Sequence, residues 1–340
     1  MLVLMPHVNQ PLAARARAFE PIPITRRLVA ARLCALLRIT THSARLAFKR
    51  ATGFSDVDSC MLAKIAEHGP MTPAELVALL SYDKGHVSRS IGRLINERVL
   101  SRDQPEGAAC MTRIGRAVYM RVLRLSKSRN AQITRDLTEH QTQLLPVVMA
   151  KLETNARGLL ALELARQRTR EGAVPSLEPR VPPRRQTSPP QPRHHLVIPE
   201  LVALQNLILK SAALAVEREL SLPGIDWQLI SYIGEHSPLT RIELMPAMSQ
   251  GDGAVNRGLQ RTEALGLIKR EKIGGGRHVL ISITDHGRKT HDRIMQLALQ
   301  RNTVLVRGVS AADQHEFSAI LDKLMATAHV LLAREQALAK

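Results

Sequence analysis

Two arginine pairs set at one spacing are the residues of this chain best suited to chemistry. Gly85, Arg89 and Arg93 recur as Gly253, Arg257 and Arg261, each a glycine followed by arginines four and eight residues on. On a helix that spacing places all three on one face. Lys84, His86 and Ser88 stand around the first set, and Asp252, Ala254 and Asn256 around the second. An arginine offers a planar fork of donors that fits a phosphate or a guanine edge, and an asparagine can pair both amide groups with an adenine edge. A glycine at the head of the face lets the backbone come close to a groove wall. The chemistry on offer is hydrogen bonding to a polyanion and to base edges in a major groove about 12 Å wide, with Arg89 best placed to fork onto a guanine.

More basic residues follow each set: Arg102 after the first, and Lys269, Arg270, Lys272 and Arg277 after the second. Other chemistry is poorly represented. Cys34, Cys60 and Cys110 are odd in number and far apart, so they write neither a disulfide framework nor a zinc knuckle, and they suit a reducing cytoplasm. His194, His195, His286, His291, His315 and His329 lack both HExxH and Cys-pair spacing, so no metal site is expected. Neither a nucleophile motif nor a phosphate loop is present, and no enzymatic role or cofactor is expected.

The 340 residues carry 48 Lys+Arg against 30 Asp+Glu, a net charge of +18 that calls for an anionic partner such as nucleic acid or an acidic lipid surface. The charge is uneven, with 25 basic against 13 acidic residues over 1–166 and 17 against 15 over 200–340. Only one Trp, three Tyr and four Phe occur, too few for platforms that stack unpaired bases. The apolar opening Met1 to Met5 meets Pro6 at once, too short for a secretory segment. The most apolar stretch, Leu201 to Val216, is broken by Gln205, Asn206 and Lys210, so no membrane span is expected.

The elements that hold the arginines come in two copies. The segment from Glu67 to Arg102 aligns without a gap on that from Glu235 to Arg270 at an offset of 168, and Glu67, His68, Pro70, Thr72, Glu75, Leu76 and Arg93 are among the identities. Thr112 and Gly115 then meet Thr284 and Gly287 at an offset of 172. In the first copy the periodicity predicts helices over about Arg26 to Arg50 and from Asp56 to the Gly69-Pro70 breaker. Thr72, Pro73 and Glu75 write a capping box for a short helix ending near Leu80. Asp83 caps the next helix, in which Val87, Ile91 and Leu94 turn inward while Gly85, Arg89, Arg93 and Asn96 turn outward. Strands over Val99 to Arg102 and Ala109 to Thr112, joined by a Pro105-Glu106-Gly107 turn, precede two long helices reaching Leu137 and Arg166. The second copy repeats this order, with helices from about Pro199, Asp226, Thr240, Gly251, Asp285 and Ser310 and strands at Leu267 to Lys272 and Val279 to Ile283. The loop of the second hairpin runs from Ile273 to His278 through three glycines and Arg277, a flexible, charged tip. Between the copies, Gln167 to Pro199 holds eight of the 19 prolines and reads as an open linker.

A short helix, a turn, a second helix with a basic first turn and then a hairpin is the winged helix-turn-helix order. Each copy resembles a MarR-type transcriptional regulator, through GPMTPAEL, DKGHVSRSIGRL, VLSR and MTRIGR in the first and SPLTRIEL, GAVNRGLQR, LIKRE and ISITDHGR in the second. The resemblance implies a mainly α fold with small β wings: two winged-helix domains whose long terminal helices pair them as an intrachain pseudo-dimer. It divides the chain into an arm at 1–24, a first domain at 25–166, a linker at 167–198 and a second domain at 199–340. It also implies a cytoplasmic DNA-binding protein that partners double-stranded DNA and a small-molecule effector, with further homodimerisation open. Two functions remain: a sequence-specific transcription regulator with two unlike recognition helices, or an architectural or protein-interaction module that holds DNA without reading sequence. The expected DNA contacts are Lys84, His86, Ser88, Arg89, Arg93 and Arg102 in the first copy, and Asn256, Arg257, Arg261, Lys269, Arg270, Lys272 and Arg277 in the second. Asp103 and Glu106 oppose Arg102, which weakens the first wing. Cys34, within LCALL, reads as a small core hydrophobe, and Trp227 and Tyr232 read as core packing rather than a platform for ligand stacking.

Overall fold

The computed structural model describes residues 28–80, 84–104, 107–170, 196–248, 251–273 and 278–338. The arm at 1–24, most of the linker, the Asp83 cap, Pro105 and Glu106 of the first turn, and the wing tip with Arg277 lie outside the described residues. The first half of the chain forms helices α1 (Val29–Thr52), α2 (Asp56–His68), α3 (Pro73–Leu80) and α4 (Lys84–Asn96), then strands β1 (Leu100–Ser101) and β2 (Cys110–Met111) and helices α5 (Arg113–Ile133) and α6 (Glu139–Arg170). The second half forms α7 (Val197–Leu220), α8 (Asp226–His236), β3 (Leu239–Thr240), α9 (Arg241–Leu244), α10 (Asp252–Ala264), β4 (Ile268–Ile273), β5 (His278–Ile283), α11 (Asp285–Leu305) and α12 (Ala311–Leu338). The described residues are mostly helical with two small antiparallel sheets.

Two compact units are present, and they interleave along the sequence. The larger takes in Ala35–Ser211 and Leu305–Lys340; the smaller takes in Ala212–Val304 with the described residues of Met1–Cys34. The units therefore differ from the division into 25–166 and 199–340 expected from the repeat, because α12 packs along α6 within the larger unit. Phe317, Ile320, Leu321, Leu324 and Ala328 of α12 are buried, as are Leu145, Val148, Met149 and Leu152 of α6. Polar contacts fix the alignment of the two helices. Gln141 donates to Glu316 at 2.8 Å, and Lys323 donates to Gln141 at 2.8 Å and to the Asp136 carbonyl at 3.0 Å.

Local signals explain where the elements of the larger unit begin. Ser55 and Asp58 form a capping box at the head of α2, which ends at Gly69 with φ +80°. Glu75 accepts from the Thr72 amide at 2.8 Å and Thr72 Oγ1 from the Glu75 amide at 3.3 Å, with Pro73 opening α3. Thr112 caps α5: its hydroxyl accepts from the Gly115 amide at 3.0 Å and donates to the Arg98 carbonyl at 2.6 Å. Gly115 is required there, since a Cβ would lie 2.1 Å from the Val99 carbonyl oxygen. Met61, Leu62, Leu76, Val87, Ile91, Leu94 and Ala109 form the core beneath α4.

The smaller unit solves the same problem with the same residues. Thr240 and Glu243 form the capping box, Thr284 accepts from the Gly287 amide at 3.0 Å, and a Cβ on Gly287 would fall 1.9 Å from the Leu267 carbonyl oxygen. Leu229, Ile230, Ile233, Leu244, Val255, Leu259, Ile281 and Ile294 form its core, with Trp227 and Tyr232 partly buried against it. Four details differ from expectation. Pro246, which has no amide hydrogen, ends α9 after one turn, and a 3₁₀ turn at Met245–Ala247 continues it. Leu239 and Thr240 pair with β5 to give a three-stranded sheet, where the first copy has a single bridge between Met71 and Ala109. Helix α6 runs on to Arg170 and α7 starts at Val197, which trims both ends of the linker. Finally, α7 is long and apolar enough to cross a membrane by length and composition, despite Gln205, Asn206 and Lys210. It buries Leu201, Leu204, Ile208, Ser211, Ala215 and Val216.

Candidate nucleic-acid interface

Helix α4 buries Val87, Ser90, Ile91 and Leu94 and exposes Lys84, Gly85, His86, Ser88, Arg89 and Arg93. Helix α10 buries Val255, Gly258, Leu259 and Thr262 and exposes Gly253, Asn256, Arg257 and Arg261. Each arginine pair therefore lies on an outward face, and its two members have different work.

The first arginine of each pair is open. Among the described residues, neither Arg89 nor Arg257 has a hydrogen-bond or ion-pair partner. The second is tied down. Arg93 donates to both oxygens of Asp58 at 2.7 Å, and Arg261 donates to both oxygens of Asp226 at 2.6 and 2.8 Å. Both aspartates sit on the preceding core helix with no exposed surface, while the arginine side chains remain 52% and 46% exposed. Arg261 makes its contact as a two-nitrogen fork, Arg93 through Nη2 alone, and either pair fixes the rotation and depth of the helix that carries the open arginine. It also leaves the guanidinium rim in reach of an anion.

The surroundings of the two aspartates differ. Ser55 donates to Asp58 through its amide at 2.8 Å and its hydroxyl at 2.7 Å, and the Ser90 hydroxyl donates to it as well. Burial pushes the Asp58 carboxyl up, but the bonds from Arg93, Ser90 and Ser55 outweigh it and hold the group below the usual carboxylate range. At the matching positions the second copy has Pro223 and Gly258, neither with a side-chain donor. A Cβ on Gly258 would stand 2.6 Å from Leu229 and 3.1 Å from Asp226, so the glycine is what lets α10 sit this close to α8. Arg261 there supplies both hydrogen bonds to the carboxylate, and that bonding in turn raises the arginine's own pKa.

The heads of the two helices differ too. Lys84 opens α4, whereas α10 opens with Asp252, held by Arg241 at 3.0 Å.

The wings hold less available charge than their sequences suggest. Lys269 pairs with Glu271 at 3.0 Å, and Arg270 pairs with Glu263 of α10, whose carboxyl its hydrogen bonds hold low. Lys272 is exposed without a partner among the described residues. In the first copy Arg102 is half-buried beside exposed Asp103.

Two features escaped the sequence reading. Asp58 and Asp226 lie upstream of the aligned segment, and the same 168-residue offset marks them as one more identity between the copies without saying what they meet. Arg113, Arg116, Arg121, Arg124 and Lys127 line the exposed side of α5, a helix without acidic residues, and its spacing alone carries that signal. Among the described residues no group of His, Cys, Asp and Glu is arranged to hold a metal ion. No family model matches the chain, and no curated protein matches it.

Proposed function

We propose that this chain is a sequence-specific double-stranded DNA-binding transcription regulator of MarR type, non-enzymatic and cytoplasmic, in which α4 and α10 are two unlike recognition helices. The observation that carries this reading is the repeated division of labour: an open arginine beside one anchored to a buried aspartate, on the same face, in both copies. A solvated helix face has no need of such an anchor twice. Arg89 and Arg257 would read the bases the half-sites share, while Asn256 facing an adenine, and Lys84, His86 and Ser88 in the other head, would distinguish them. Arg93, Arg102, Arg261, Lys269, Arg270, Lys272 and Arg277 would serve the phosphates.

The pairing proposed is an intrachain pseudo-dimer, supported by the residence of α12 in the unit that holds the first copy. A small-molecule effector belongs to the proposal through the family resemblance alone.

Selection of bound sequences from a random duplex pool tests the reading. The expected product is a partly palindromic site with half-sites about one helical turn apart, preferred over random duplex by ~10³ or more at physiological salt. Arg89→Ala should remove roughly 1–3 kcal/mol of preference at one half-site. Equal retention of all sequences would instead support the architectural module. Light scattering should give the mass of one chain, and twice that mass would indicate four winged helices.

A further inference from the structure

The outward face of α1 carries basic residues that the interface above does not use. Arg38, His42, Arg45 and Lys49 follow at intervals of four, three and four residues, the spacing of one helix face, and all four are exposed. Helix α1 contains no acidic residue, and among the described residues Arg38, Arg45 and Lys49 have no hydrogen-bond or ion-pair partner. Arg50, one position off the stripe, is engaged by Glu335 at 2.9 Å. Burial, then repulsion from Arg45, lowers the pKa of His42, as expected where positive charge gathers without a counter-anion.

The stripe is not a property of the repeat. Helix α7, which matches α1 from end to end at the 168-residue offset, has Asn206, Lys210, Ala213 and Glu217 at these positions. From Arg38 to Lys49 the helix rises about 16 Å, the axial length of about five phosphates on one strand of a duplex.

The choice of polyanion follows from what the face lacks. Membrane-surface helices bury an apolar side in the lipid boundary. In α1 that side is already buried in the protein through Leu33, Leu36, Leu37 and Ala47, and no large hydrophobic residue of the helix is exposed. A protein partner would want an apolar anchor at the centre of the contact, and the stripe offers none.

We propose that the Arg38–Lys49 face of α1 binds the phosphate backbone of a DNA duplex without reading its sequence, as a second contact separate from the arginine-bearing helices. The contact goes beyond the function proposed above and stands or falls apart from it.

The test is fluorescence anisotropy of the full chain on a random-sequence duplex across a salt series, in the native background and with Arg89→Ala and Arg257→Ala together. In both backgrounds, R38Q/R45Q/K49Q should lower the slope of log affinity against log salt by about 2.7, and R38K/R45K/K49R should keep it. Should the triple variant fail to fold, R45Q alone should lower the slope by about 0.9. An unchanged slope overturns the proposal. So does a variant that loses phosphatidylserine vesicles or polyglutamate while holding DNA as before. A chain without site preference whose slope still falls on neutralisation would sink the regulator reading and leave this one intact, and the reverse pattern would do the opposite.

Discussion

Asp58 and Asp226 hold the two arginine-bearing helices in place by different means. In the first copy the carboxylate is shared among Ser55, Ser90 and Arg93, so the helix is secured by several donors of which the arginine is one. In the second, Pro223 and Gly258 have removed those donors, and Arg261 carries the carboxylate through a two-point contact. The same fold element can thus rest on a redundant network or on a single pair. The redundant version leaves its arginine more replaceable.

The largest expected consequence is a difference between matched substitutions. Arg261→Ala strands a buried carboxylate and should destabilise the smaller unit by about 3 kcal/mol or more. Arg93→Ala leaves Asp58 with Ser55 and Ser90 and should cost about 1–2 kcal/mol. Trp227, the only tryptophan, reports on the smaller unit by fluorescence during denaturant unfolding, and hydrogen exchange of α2 and α4 amides reports on the first copy. Equal losses would remove the distinction between the two networks.

Next in size, Gly115→Ala and Gly287→Ala should each cost about 2–3 kcal/mol, because the added methyl meets first a backbone carbonyl, that of Val99 or Leu267, which cannot swing away as a side chain can. Here the copies should respond alike. A much smaller loss at one site would show that the backbone there can yield.

The pH response of the first copy should follow Asp58. The folded-state pKa of Asp58 is depressed, so its contribution is fully present above the unfolded carboxyl value of about 3.9 and is lost as pH falls through the lower folded value. The stability gap between the native chain and Asp58→Asn should therefore be constant from neutral pH to about 4 and close below it. A gap that stays constant into strong acid would remove the linkage.

The smallest effect concerns the second residue after each arginine-bearing helix. Arg98 sits at φ +57° where its counterpart Gly266 sits at φ +67°. Left-handed backbone is costly for a side-chain-bearing residue, so Arg98→Gly should stabilise by about 0.5–1 kcal/mol and Gly266→Ala should destabilise by about 1 kcal/mol. The midpoints of denaturant unfolding decide this, and a loss on Arg98→Gly would show that its side chain matters more than its backbone.

Much of this was legible before any fold was known. Thr72-Pro73 with Glu75, and Thr240 with Glu243, announce helix starts because a capping box closes within four residues. Thr112 and Gly115, with Thr284 and Gly287, mark the turn out of the wing, although the clash that demands the glycine arises from a backbone carbonyl more than a dozen residues away, just ahead of a wing strand. The outward arginines followed from helical periodicity, which says which way a side chain leaves the helix and nothing about what waits there. Periodicity therefore sets Arg93 and Arg261 on DNA beside Arg89 and Arg257, with no sign of the aspartates that hold them. The short α9 was missed because the capping box promised a helix while Pro246 ended it.

The sequence by itself determined the elements, their order, their duplication and the basic face of each arginine-bearing helix, since each of these depends on residues within a few turns of one another. Tertiary structure alone decided which arginines are open and which are anchored, because Asp58 and Asp226 reach them across 35 residues. It alone placed α12 beside α6 and set Glu335 of α12 against Arg50 of α1 across 285 residues. Periodicity records which side of a helix is apolar. Which other helix covers that side, and which charge meets another there, depends on the packing of the whole chain.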